Sequence, residues 1–136
     1  MTLALATTLT VPPFDEAVER TRAALADQGF GVLTEIDVQA TLKKKLDEDM
    51  EPYLILGACN PPPLAHRALG VQRQIGLLLP CNVVVRADAD NPGTTLVEAM
   101  NPDLMVQVSG EPQLESVARD AATKLRAAID ALSNQS

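Results

Sequence analysis

The most apolar run of the chain reads Leu77-Leu78-Leu79-Pro80-Cys81-Asn82-Val83-Val84-Val85. Because proline has no backbone N–H to donate to a strand ladder, Pro80 indicates that a strand begins there. The second half of the run is almost continuously aliphatic, which is typical of a strand buried on both faces. We therefore expect the fourth strand of the chain in this segment, with both of its faces covered.

Periodicity on either side of this run predicts the remaining elements. Apolar residues alternate along the first eleven positions, as in a strand, and spacings of three and four mark the longer helices. The segments are strands at 3–11, 30–36, 53–56 and 94–99, helices at 14–28, 38–46, 64–72 and 112–132, and a short connector at 104–106. The order β-α-β-α-β-α-β-β-α predicts an α+β fold with one sheet of about five strands and helices packed on one face. A chain of 136 residues fits a single domain over residues 1–136, with its core at about 3–132.

Composition excludes several classes of function. Eighteen acidic residues against eleven basic ones give a net charge of −7, and no interleaved aromatic and basic residues offer a stacking platform, so nucleic acid is not an expected partner. No apolar stretch reaches the ~20 residues of a membrane span, and the first residues lack the basic region of a signal peptide. We expect a cytoplasmic protein whose two cysteines are reduced thiols.

The segments that could bear chemistry are two Cys-Asn pairs, each beside a proline at a strand terminus. The chain carries no phosphate-binding loop, zinc-protease signature or serine-nucleophile signature. The only histidine lies between the two pairs. The candidate ligand-binding residues are Cys59, Asn60, His66, Cys81 and Asn82. The spacing of the cysteines and the histidine matches no recognised metal motif, so no metal is predicted, and the sequence identifies no cofactor.

Whether the two cysteines can share one site depends on strand direction. Parallel third and fourth strands would place Cys59 and Cys81 at opposite ends of the sheet, roughly 20 Å apart. Antiparallel strands would place them at the same end, where His66 could join them. Buried packing is the simpler interpretation of Cys81, because a free cysteine often behaves as a small apolar residue.

Six segments of the chain form a specific set. They are Phe14-Asp15-Glu16-Ala17-Val18, Gly29-Phe30-Gly31-Val32-Leu33-Thr34-Glu35-Ile36-Asp37, Thr41-Leu42-Lys43, Tyr53-x-Ile55-Leu56-Gly57-Ala58-Cys59-Asn60-Pro61, Ala65-His66-x-Ala68-Leu69 and Gly76-Leu77-Leu78-Leu79-Pro80-Cys81-Asn82-Val83-Val84-Val85. With these segments the chain resembles, from Thr7 to Leu132, the bacterial family called domain of unknown function 302. The resemblance implies a compact α+β fold, a homodimer and no established biochemical activity. Two departures from the family pattern are Arg86, where an acidic residue is usual, and the run Pro61-Pro62-Pro63, which is one proline longer.

Two classes of function remain. The leading hypothesis is a homodimeric small-ligand-binding or interaction module, with a pocket near Cys59, Asn60, His66 and Cys81. The alternative is a thiol-dependent enzyme, or a redox or soft-metal-binding protein, that uses Cys59 or Cys81 as a thiolate.

Overall fold

The computed structural model describes residues 3–10, 12–59 and 62–134. Within these ranges the strands are β1 (Ala4–Leu9), β2 (Gly31–Asp37), β3 (Tyr53–Cys59), β4 (Cys81–Ala87) and β5 (Thr95–Met100). The helices are α1 (Phe14–Asp27), α2 (Val38–Leu46), α3 (Pro62–Val71), α4 (Asp103–Ser109) and α5 (Glu115–Ser133). Two short 3-10 helices, Arg73–Leu78 and Pro112–Leu114, precede β4 and α5.

The five strands form one sheet in the order β1-β5-β4-β3-β2, and every neighbouring pair is antiparallel. This confirms the predicted α+β fold with a single sheet of five strands. The consecutive strands β4 and β5 form a hairpin, in which they pair from Val83 opposite Ala99 to Ala87 opposite Thr95.

Alternate residues of the sheet face α1 and α5 and form the main core. In β3 and β4 these positions are Leu54, Leu56, Val83 and Val85, none of them more than 7% exposed. They join α5 residues such as Leu125 in one cluster, together with residues of α1. Because a helix stripe and one sheet face bury each other, α1 and α5 fix which strand positions point inward.

The expectation that β4 is buried on both faces is wrong. Cys81, Val83 and Val85 are buried, but Val84 between them is only partly buried and Asn82 is exposed. The intervening positions lie on the opposite face of the sheet, because successive side chains of a strand alternate. Neither α1 nor α5 covers that face, so the aliphatic run of β4 extends onto a surface that one chain leaves open.

A second buried cluster lies beyond the end of β3 and the start of β4. It joins α3, the two 3-10 helices, α4 and the first half of α5 through Leu64, Ala68, Ile75, Met105, Leu114, Val117, Ala118 and Ala121. The structure has helix α4 where the sequence predicted only a short connector, at 104–106. Its seven residues bury only Met105, which is too few contacts to produce a readable helical period. Gly110 ends the helix with a φ of 68°, in the left-handed region.

Gly57 in the middle of β3 is required for close packing. A Cβ built at this position would overlap Thr34 Oγ1 of β2 and lie 3.0 Å from Pro80 Cγ. We expect Gly57→Ala to lower the free energy of unfolding by about 1–3 kcal/mol, because the neighbouring strands must shift to admit the methyl group. Urea unfolding measures the change. Gly31→Ala is the matched control, since a Cβ there meets no atom within 4 Å, and equal stability losses in the two variants would contradict the packing argument.

Candidate functional site

The ends of β3 and β4 bring the two cysteines together. The strands are antiparallel, and Cys81 pairs directly with Ala58, the residue before Cys59. Of the two alternatives that the sequence left open, the structure therefore has the antiparallel one, with both cysteines at the same end of the sheet. Neither cysteine forms a disulfide in the structure.

Both cysteines line a small cavity between this end of the sheet and the second core cluster. The other lining residues are apolar and come from the sheet, α3, α4, α5 and the segments before β2 and β4: Phe30, Ala58, Leu64, Ala65, Ala68, Leu79, Met105, Val117 and Ala121. The cavity has a volume of about 30 Å³, whereas pockets for drug-sized ligands measure about 300–1,000 Å³. In this conformation it has room for only a very small group.

Burial determines the chemistry of Cys81. The residue is 6% exposed, and burial raises the pKa of its thiol to about 11, with a smaller contribution from the nearby Cys59. Only the thiolate acts as a nucleophile or metal ligand. Cys81 is therefore protonated at neutral pH, which suits a packing role. Cys59 is only partly buried and is the more accessible of the two sulfurs.

The remaining candidate residues lie elsewhere. His66 is exposed on α3 and is absent from the cavity lining, because Leu64 and Ala68 face the cavity instead. Asn82 is exposed on the sheet face that α1 and α5 leave open, and Asn60 lies outside the described residues. Of the five candidates the structure therefore brings together Cys59 and Cys81. No group of three or more metal-ligating side chains is present among the residues that the structure describes.

Several residues that line the cavity were not predicted from the sequence. Leu64 and Ala68 are four apart on a predicted helix, a spacing that indicates one buried face, although it does not show what that face covers. Met105 lies in the segment 104–106, for which the sequence predicted only a short connector, so no pattern indicated that this side chain would line a cavity. The neighbouring Arg67 was not singled out either, yet its Nη1 donates to Asp120 Oδ2 at 2.7 Å and ties α3 to α5 beside the cavity.

Arg86, the unusual residue at the end of the aliphatic run, is not an isolated charge. Its Nε donates to Glu98 Oε1 of β5 at 2.6 Å, and each side chain is 30% exposed. The hydrogen bond with Glu98 raises the pKa of Arg86 above its ordinary value. The two charges therefore compensate each other on the open face of the sheet.

None of the helices within the described ranges is long and apolar enough to cross a membrane.

Comparison with known proteins gives one consistent result. The family model described as "Domain of unknown function DUF302" matches residues 7–132. The crystal structure of an uncharacterized conserved DUF302 protein from Bacillus stearothermophilus is similar, with 30% sequence identity and a TM-score of 0.85. The match covers 96% of this chain and 98% of that one. No curated protein matches the chain.

Proposed function

This chain belongs to the DUF302 family, a domain of unknown function, and we propose that it acts as a homodimeric interaction and small-ligand-binding module. Two copies pack through the face of the sheet opposite α1 and α5, which we call the open face. The observation that carries the proposal is the apolar composition of this face. A sheet face in contact with water is ordinarily polar.

One row of side chains crosses the open face on all five strands. The pairing registers place Ile36 beside Ile55, Ile55 beside Val84, Val84 beside Glu98 and Glu98 beside Ala6. Glu98 is the charged member of the row, and its charge is compensated by its ion pair with an arginine of β4. A surface with this pattern loses little on desolvation and gains from burial against a second apolar surface.

The size of the open face suits a dimer. Five strands of six or seven residues, spaced by about 4.8 Å, span roughly 24 Å by 20 Å, or about 500 Å² in projection. Two such faces together supply about 1,000 Å², without counting the additional surface area of the protruding side chains. This area is near the lower limit for a specific interface. A second copy provides an equal apolar area by symmetry.

The cavity beside Cys59 and Cys81 supports the ligand-binding part of the proposal. Its lining is almost wholly carbon and sulfur, so it suits a small apolar group. A larger ligand would have to extend from the cavity toward the surface of α3 near His66, or toward Asn82 on the other face of the sheet. Against the rival thiol chemistry stands the raised pKa of Cys81, which leaves Cys59 as the sulfur for such a role.

Val84→Lys tests the interface. Val84 lies in the middle of the row, and in a single chain the new ammonium group can pair with Glu98 beside it. In a dimer the same charge would be buried, which costs several kcal/mol per ion. We expect light scattering to give the 14.5 kDa mass of one chain for this variant and twice that mass for the wild-type protein.

The matched control is Val108→Lys, the same substitution at an exposed position of α4, which should remain dimeric. Circular dichroism checks that both variants keep the fold. A Val84→Lys protein that is folded and still dimeric would contradict the proposed interface.

A further inference from the structure

A groove between α4 and α5 is a much larger concave surface than the cysteine cavity. Its volume is about 670 Å³, within the range of small-molecule sites. Val106 of α4 and Ala122 and Ala127 of α5 supply an apolar floor, while Gln107 and Thr123 supply polar groups. The groove lies on the helical side of the molecule and is separate from the open face of the sheet.

Two arginines of α5 line this groove. Arg119 and Arg126 are seven residues apart, so they lie on one face of the helix with their Cα atoms about 10.5 Å apart along its axis. Neither forms an ion pair with any of the described residues, whereas arginines elsewhere, such as Arg22, Arg67 and Arg86, each contact a carboxylate. Their guanidinium groups therefore retain their hydrogen-bond donors for another partner.

The carboxylates of the groove lie outside this pair along α5. Glu115 is four residues before Arg119, and Asp130 is four residues after Arg126. Such spacings permit helical ion pairs, but the structure forms none of them, and Asp103 of α4 adds a further negative charge to the lining. The groove is thus cationic in its middle and anionic toward both ends of the α5 segment, so it disfavours anions longer than the spacing of the arginines.

We propose that the α4–α5 groove binds an elongated organic anion that has an apolar body and one acidic group at each end. One carboxylate or phosphate at each end of the ligand pairs with Arg119 or Arg126, in the bidentate geometry that guanidinium groups favour. The body of the ligand lies over the floor formed by Val106, Ala122 and Ala127. The proposal goes beyond the dimeric interaction module and does not depend on it.

Calorimetric titration of the full chain at low salt tests this site. The probes are decanedioate, which carries two carboxylates, and a bisphosphate of similar length. We expect at least one of them to bind, and preference for one over the other assigns the acidic groups as carboxylate or phosphate. Decanoate, with the same body and one acidic group, should bind at least tenfold more weakly than the tighter-binding of the two probes. Absence of binding by both probes at millimolar concentration would overturn the proposal.

Matched variants separate a defined site from general attraction to positive charge. Arg119→Gln and Arg126→Gln should each weaken binding of the tighter-binding probe at least tenfold. Lys124→Gln removes the same charge from an exposed residue of α5 that does not line the groove, and it should change the affinity less than twofold. Equal losses in all three variants, or decanoate binding as tightly as the tighter-binding probe, would overturn the proposal.

Discussion

Leu125→Ala is expected to lower the free energy of unfolding by about 2–5 kcal/mol. Leu125 is 0% exposed and belongs to the cluster that joins α5 to α1 and the sheet. Its removal takes apolar surface out of the core and leaves a cavity that the surrounding helices and strands fill only partly. Urea unfolding at one fixed protein concentration gives the change, because unfolding of a dimer depends on concentration.

The control for this prediction is the adjacent residue of the helix. Lys124 is exposed, and Lys124→Ala should alter stability by less than about 0.5 kcal/mol, as is usual for surface substitutions. A loss below about 0.5 kcal/mol in Leu125→Ala would mean that α5 does not pack on the sheet through this position.

The second large effect concerns pH. The pKa of the Cys81 thiol is raised by burial from 9.0 to about 11 in the folded protein. Between these values the unfolded chain releases the proton and the folded chain keeps it, so stability falls as pH rises. The contribution is fully present below about pH 9 and is lost by about pH 11. Two pKa units correspond to about 2–3 kcal/mol.

Comparison of variants isolates the cysteine from other alkaline groups. The difference in unfolding free energy between wild type and Cys81→Ala should change by about 2–3 kcal/mol from pH 8.5 to pH 11. Cys59→Ala should keep most of this pH dependence, since burial is the largest cause of the shift. Parallel pH profiles for wild type and Cys81→Ala would show an ordinary thiol pKa and would favour the thiolate hypothesis.

Sequence periodicity predicted the elements that are long or clearly bounded. Helix α2 begins and ends where its pattern indicated, at Val38 and Leu46, because Asp37 accepts a hydrogen bond from the backbone N–H of Ala40 and caps it. The stripe of α5 is buried as expected at Val117, Ala121 and Leu125. These features depend on local chemistry and on one amphipathic face.

Features that depend on tertiary packing were harder to predict. The aliphatic run of β4 indicated burial on both faces, but no sequence pattern shows whether the second face is covered by a helix or left open. The rotation of α3 turns Leu64 inward and His66 outward, and that rotation follows from packing against the second core cluster. The direction of β3 relative to β4 was also left open, since the predicted helix at 64–72, which is about nine residues long, permits either connection.

The central claim is that the open face of the sheet is the interface of a homodimer. The most direct measurement is the mass of the unmodified protein by multi-angle light scattering, at concentrations down to the micromolar range. We expect twice the 14.5 kDa mass of one chain throughout that range. A mass of 14.5 kDa at micromolar concentration would contradict it.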